Sequence, residues 1–482
     1  MLFNSIEFAI YLPIVFLIYW FVTNKNLKLQ NAFLILASYF FYGWWDWRFL
    51  SLIIFSSLVD YLIGICLSKQ ENINKRKLLL LTSISVNIGF LGFFKYFNFF
   101  ADSFASAFTL LGVPFEATRL SIILPVGISF YTFQTLSYTI DVYRRKLEPT
   151  RDPLSFFAFV SFFPQLVAGP IERATNLLPQ FYKKRRFDYD KAVDGLRQIL
   201  WGLFKKMVIA DNCAVYVNEV FSNSADYPGS TLLLGTIFFA FQIYGDFSGY
   251  SDIAIGTSRL FGFNLMKNFA YPYFSRDIAE FWRRWHISLS TWFRDYVYIP
   301  LGGSRVGSWK KIRNIFIIFI VSGFWHGANW TFIVWGALNA IYFLPLLLMK
   351  RNRSNLDVVA QNSFFPKFKE ILEVGSTFAL TTLAWVFFRS ASVSDAINYL
   401  SGIFSQSLFT FPRNVYGFPQ YEVITILAIF IFSEWVQRRK EHALQFDNNR
   451  IPRIIRWCIY YVIIIIISLY SGIQQQFIYF QF

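Results

Sequence analysis

Ser322-Gly323-Phe324-Trp325-His326-Gly327-Ala328-Asn329-Trp330 lies inside a run from Asn314 to Met349 that holds no Asp, Glu, Lys or Arg. Lys310, Lys311 and Arg313 close the run on one side, and Lys350, Arg351 and Arg353 on the other. As one helix these residues would extend about 54 Å at 1.5 Å per residue, against a hydrocarbon core of about 30 Å. A single straight span does not fit, so the run must break. Ser322-Gly323 and Gly327-Ala328 are the places to break it, and at membrane depth such a break survives only where it is buried in protein or lines a cavity. His326, the one imidazole of the run, is thereby predicted at the break. There it is either functional, the default for a titratable group inside a membrane, or a structural histidine bonded between helices.

The rest of the 482-residue chain agrees with a membrane setting: 55% of it is hydrophobic and 21% aromatic, too apolar for a soluble enzyme of this size. Repeated apolar runs predict an all-α integral membrane protein and not a barrel. The net charge of +16 belongs to loops facing the cytoplasm and the anionic headgroups of the lipid bilayer, not to nucleic-acid binding. Cys66, Cys213 and Cys458 stand singly in apolar stretches, which indicates neither a disulfide framework nor a zinc site. Glu7 sits where a signal peptide would be basic, and Lys25 and Lys28 follow the first apolar run, which places the N-terminus outside.

Candidate spans are Phe8 to Val22, Phe33 to Trp45, Phe49 to Leu67, Leu78 to Phe99, Ile122 to Ile140, and runs near Ala192 to Val220, Ser230 to Phe263, Leu372 to Phe388, Val423 to Val436 and Ile454 to Ile467. With the broken central run they make about eleven spans. Leu154 to Gly169 carries Pro164 between two basic loops and reads as a re-entrant segment. In Tyr244-Gly245-Asp246-Phe247-Ser248-Gly249-Tyr250-Ser251-Asp252 the glycines are expected to interrupt the helix. Arg259 or the arginines downstream are the expected partners of Asp246 and Asp252. Asp277 to Asp295 mixes charges with Phe281, Trp282, Trp285, Trp292 and Phe293, an interfacial or cavity-lining composition, and contains His286. Nothing marks a repeat or a soluble domain, so residues 1–482 read as a single transmembrane domain.

Of the three histidines, His442 follows Arg438-Arg439-Lys440-Glu441 and reads as part of a solvated loop without a role. His286 and His326 are too far apart in sequence for a local pair and meet only if the fold joins their segments. Burial keeps an imidazole neutral, and a neutral imidazole is what a general base must be. Such a base suits taking the proton of an alcohol whose oxygen then attacks an acyl carbonyl. Arg283 and Arg284 supply charge-assisted donors for an anionic acyl donor. The H-E-x-x-H, G-x-S-x-G and G-x-x-x-x-G-K patterns are absent.

Phe281-Trp282-Arg283-Arg284-Trp285-His286-Ile287-Ser288-Leu289-Ser290-Thr291-Trp292 resembles a motif of the membrane-bound O-acyltransferases. So do the Tyr244 to Asp252 stretch, Pro125-Val126-Gly127-Ile128-Ser129-Phe130, Gly323-Phe324-Trp325-His326-Gly327-Ala328, the opening Met1-Leu2-Phe3-Asn4-Ser5 and the closing Phe477-Ile478-Tyr479-Phe480. The resemblance is to the bacterial branch that serves alginate and peptidoglycan O-acetylation. It implies helices around a central funnel or tunnel in the bacterial cytoplasmic (inner) membrane, with His326 as the catalytic residue and His286 as a second site residue. Arg283, Arg284 and Trp285 are then the expected donor-binding residues, acetyl-CoA the acyl donor, with no metal. The acetyl group would pass to a polysaccharide acceptor through a secreted or membrane-anchored extracytoplasmic acetyltransferase. Two other readings stand behind this one. One is D-alanyl transfer to teichoic acid from a carrier-protein thioester. The other is a transporter or flippase of envelope intermediates, whose usual two corresponding halves are not found here.

Overall fold

The computed structural model describes residues 1–113, 115, 117–415, 420–446, 451–471 and 474–480, and among them every regular element is helical. The chain divides into two compact units, residues 1–192 with 257–265, and residues 193–256 with 266–482.

Among the described residues, nine α-helices lie wholly in the first unit: α1 Ile6–Leu17, α2 Leu27–Asp46, α3 Leu50–Lys69, α4 Ile73–Leu91, α5 Phe97–Leu110, α6 Ile128–Tyr143, α7 Pro153–Ser161, α8 Phe163–Leu166 and α9 Ala174–Phe181. Their starts are written in the sequence: Asn26, Asn72 and Asp152 each turn a side-chain oxygen back to backbone N–H groups of the first turn. Pro164 and Pro170 keep Leu154 to Gly169 from forming one helix, so it folds as two short pieces. Asp60, buried on α3, accepts from Ser83, from Asn87 at 2.9 Å and from Thr139 at 3.0 Å, which ties α3, α4 and α6 together without a cation.

The remaining helices are α10 Tyr189–Leu203, α11 Asp211–Ser222, α12 Gly229–Leu260, α13 Ile278–Arg284, α14 Ile287–Phe293, α15 Ser308–His326, α16 Trp330–Leu348, α17 Phe368–Arg389, α18 Val393–Ile403, α19 Gln420–Gln437 and α20 Arg453–Tyr470. Among the described residues, six helical stretches are long and apolar enough to cross a membrane: Leu27–Lys69, Ile73–Leu110, Gly229–Leu260, Trp330–Leu348, Phe368–Arg389 and Arg453–Tyr470. Several other expected spans are shorter or interrupted. The Ile122 to Ile140 run is helical only from Ile128, and the Ala192 to Val220 run passes through a π-helical segment, Phe204–Ala210.

The expected interruption of α12 does not occur. The helix runs unbroken through Gly245 and Gly249 because these glycines accept the close approach of the preceding chain. A Cβ at Gly249 would stand 2.8 Å from the carbonyl oxygen of Gly202, and one at Gly245 would stand 2.9 Å from that of Lys205. Small residues four apart are the usual means by which membrane helices meet backbone to backbone.

The central apolar run breaks where its length demanded. Helix α15 ends at His326, Gly327 is extended (φ −160°, ψ 151°), and Asn329 caps α16 by accepting from Thr331 N at 3.0 Å. Ser322-Gly323 stays helical, and Gly323 and Gly336 make the contact between α15 and α16, each with its missing Cβ directed at a backbone carbonyl of the other helix, Phe332 and Phe319 respectively. Gly336→Leu is therefore expected to destabilise the protein by about 1–3 kcal/mol through overpacking. Thermal unfolding in detergent would read this as a lowered midpoint, while Gly375→Ala, where a Cβ meets nothing within 4 Å, leaves the midpoint in place.

Candidate active site

His326 occupies the last residue of α15 and is 2% exposed. Its ring packs against Trp335 at 5.2 Å between centroids, Phe388 at 5.4 Å and Tyr479 at 5.5 Å. The aromatic wall is closed behind it by Trp385, stacked on Trp335 at 5.4 Å. A break between two apolar helices has thus placed an imidazole at a helix terminus, inside a ring of aromatic side chains.

His286 comes to the same place from the turn between α13 and α14, two seven-residue helices too short to cross a membrane. Its backbone is left-handed (φ 44°, ψ 54°), a conformation held by Ile287 N donating to Asn268 O at 2.9 Å. The ring is fully buried, 4.6 Å from Phe247 and 6.2 Å from the ring of His326. Burial pushes its pKa below the ordinary histidine range, so it is neutral at physiological pH. Two imidazoles separated by 40 residues of chain therefore meet within one buried cluster of aromatic rings.

Tyr479 completes that cluster, a residue that stands in a terminal motif and has no role assigned from sequence. Its ring lies 4.5 Å from Phe247 and 6.3 Å from His286. The segment bearing it is held by buried charge. Lys206 Nζ is 2.7 Å from Asp211 and 2.8 Å from Asp246, and donates to Gln475 O at 3.1 Å. The second Asp246 oxygen accepts from Ile478 N at 2.6 Å. Asp252 is paired with Lys205 at 2.6 Å. The carboxylates of α12 thus have lysine partners from the π-helical segment, in place of the expected arginines.

Arg283, Arg284 and Trp285 are engaged by the protein itself. Arg283 donates to the carbonyls of Asn352 at 2.8 Å and Asn355 at 2.6 Å, and Arg284 pairs with Glu280 at 2.8 Å. Trp285 is buried against Trp385 at 5.0 Å and Phe269 at 5.1 Å. Other cations gather nearby. A cavity of about 480 Å³ is lined by Arg294, Lys311, Lys350 and Arg353 together with the apolar Trp282, Ile315, Phe319 and Phe343. Ser322, one helical turn before His326 on the same face of α15, also lines it. The signal for Lys311, Lys350 and Arg353 lay in the basic flanks of the apolar run, while Arg294 belongs to the charged aromatic segment before it. His442 departs from the solvated position expected of it: it is 2% exposed, with Nε2 3.1 Å from Asp194, because a tertiary contact covers a locally charged stretch.

The profile of the membrane-bound O-acyltransferase family (MBOAT) matches residues 39–361. This chain belongs to the membrane-bound O-acyltransferase family. It is an O-acyltransferase and an integral membrane protein. Among its MBOAT relatives, the probable alginate O-acetylase AlgI of Pseudomonas putida is 40% identical over 408 residues, 84% of this chain and 80% of the relative. The peptidoglycan O-acetyltransferase of Helicobacter pylori is 37% identical over 432 residues, again 84% and 80%. The teichoic acid D-alanyltransferase of Streptococcus thermophilus is more distant, 32% identical over 270 residues, half of this chain.

Proposed function

We propose that this membrane-bound O-acyltransferase moves an acetyl group from cytoplasmic acetyl-CoA to a hydroxyl destined for an envelope polysaccharide, with His326 as general base and His286 holding the hydroxyl-bearing group. The observation that carries the proposal is the meeting of two buried imidazoles one helical turn from a cation-lined cavity. His326 takes the proton of the hydroxyl, the freed oxygen attacks the thioester carbonyl, and the carbon–sulfur bond breaks. The leaving thiolate then recovers the proton from the imidazolium. A buried aromatic setting favours this. Relatives named for alginate and peptidoglycan support a carbohydrate acceptor, and a separate extracytoplasmic acetyltransferase is the expected recipient of the group. The inner membrane of a bacterium, with the N-terminus outside, suits a donor that enters from the cytoplasm.

The cavity fits the donor by chemistry: phosphates take cations, and the acyl-bearing arm takes an apolar wall. Lys350→Ala and Arg353→Ala are each expected to raise KM for acetyl-CoA about tenfold, the loss of one charge-assisted contact, with kcat unchanged. Steady-state transfer of labelled acetyl by purified protein checks this, and an unaltered KM in both would remove the cavity from the donor path. The transport reading predicts instead movement of a glycan precursor across vesicles with no acetyl released from its thioester.

A second reading is favoured by Tyr479, whose ring packs beside both imidazoles. In it the tyrosine oxygen attacks the thioester, the carbon–sulfur bond breaks and the thiolate leaves with the phenol proton; the external hydroxyl then attacks the phenyl ester and returns its proton to the departing phenolate. Tyr479→Phe is expected to abolish covalent labelling of the protein by acetyl-labelled acetyl-CoA; a Phe variant that still labels and still transfers eliminates this reading.

A further inference from the structure

Asn268 lies in the connection between α12 and α13 and is completely buried. Its side-chain oxygen meets three groups at once: the backbone N–H of Ser288 at 3.3 Å, the Ser288 hydroxyl at 2.9 Å and His286 Nδ1 at 3.1 Å. Its Nδ2 donates to Ser251 Oγ on α12 at 3.1 Å. The orientation of the amide follows from the first of these contacts. A backbone N–H can only donate, so the atom facing Ser288 N must be the amide oxygen; turned over, the NH₂ would oppose a second donor. The same oxygen faces His286 Nδ1, which must therefore be protonated.

A neutral imidazole carries one proton, so the tautomer with Nδ1–H leaves Nε2 a bare lone pair. Nε2 is fully buried, points away from Asn268 and has no hydrogen-bond partner among the described residues. A buried acceptor left unmade is costly in a resting protein and is expected where a ligand supplies the missing donor. The rings around His286 on the side of His326 and Tyr479 are those of the candidate site.

We infer that Asn268 is a positioning residue that locks His286 in the Nδ1–H tautomer, so that Nε2 accepts a hydrogen bond from a hydroxyl of the acyl acceptor and cannot donate one to the thioester carbonyl. The inference rests on the acyl-transfer reading for what binds, but not for the tautomer itself. It assigns His286 to the acceptor side of the reaction, where Nε2 meets a hydroxyl donor whether a sugar or a protein side chain carries it. Ser251 and Ser288 belong to the same device, since they saturate the amide and prevent its rotation.

Only three histidines occur in the chain, so ¹⁵N-histidine solid-state NMR in lipid, assigned with His286→Gln, reads the tautomer directly. The wild type is expected to show protonated Nδ1 and unprotonated Nε2 at His286. Asn268→Leu should mix the tautomers and lower kcat by about tenfold to a hundredfold with KM for acetyl-CoA unchanged, and Asn268→Asp, which keeps the acceptor oxygen, should retain the tautomer and recover most of kcat. The inference is overturned by an Nε2–H tautomer in the wild type, a result that stands even if the leucine variant fails to fold. It is equally overturned if Asn268→Leu keeps the native tautomer, whatever its activity. A wild type with the assigned tautomer but no acetyl transfer would sustain the inference about Asn268 and break the acyl-transfer reading instead.

Discussion

His326→Ala is expected to lower acetyl transfer from acetyl-CoA by about three orders of magnitude, the middle of the range for loss of a positioned general base. The effect is chemical because the side chain is not what shapes the backbone there. Gly327 ends α15 and Asn329 starts α16, so the break survives the truncation. What remains is a small void among Trp335, Phe388 and Trp325, with a modest lowering of the thermal midpoint. His326→Gln separates the two effects: it refills much of the void without supplying a base, so stability returns and transfer does not. A glutamine variant that transfers at the wild-type rate would move the base elsewhere.

Lys206→Met is expected to have the largest effect on stability. Removing the ammonium leaves Asp211 and Asp246 buried beside one another without a counter-charge, and breaking a buried ionic cluster on one side costs about 3–5 kcal/mol. The damage spreads to the candidate site, because Asp246 and Lys206 hold Ile478 N and Gln475 O and so the segment bearing Tyr479. Thermal stability and acetyl transfer should fall together, and protease should cut the C-terminal segment faster. Lys191→Met, which removes an exposed pair 3.8 Å from Asp188, should change none of these. If Lys206→Met unfolds at the wild-type temperature, the cluster is not what holds the C-terminal segment.

The break at His326 was legible because it followed from arithmetic: an uncharged run too long for one span, with glycine and alanine after the histidine. The cation-lined cavity was half legible, since Lys311, Lys350 and Arg353 stood at the flanks of that run while the nearer Arg283 and Arg284 drew attention. Their real partners, four backbone carbonyls and Glu280, come from packing that spacing does not reveal. Lys205 and Lys206 are not legible as site residues inside an apolar stretch, because lysines in such a run gain meaning only when carboxylates from another helix arrive. The glycines of α12 were misread as breaks for a related reason: a residue without Cβ serves a bend or a close contact equally, and only the neighbour decides. His442 shows the opposite error, a charged local sequence buried by Asp194 from a distant helix.

The measurement that bears most directly on the two imidazoles acting as one centre is a double-mutant cycle on kcat for acetyl transfer, using wild type, His286→Ala, His326→Ala and the double variant at equal folded concentration. If the two residues serve one transition state, His286→Ala impairs transfer without abolishing it, and the double variant is no slower than His326→Ala alone. Independent, multiplying losses, or wild-type turnover in either single variant, would contradict a shared acyl-transfer centre.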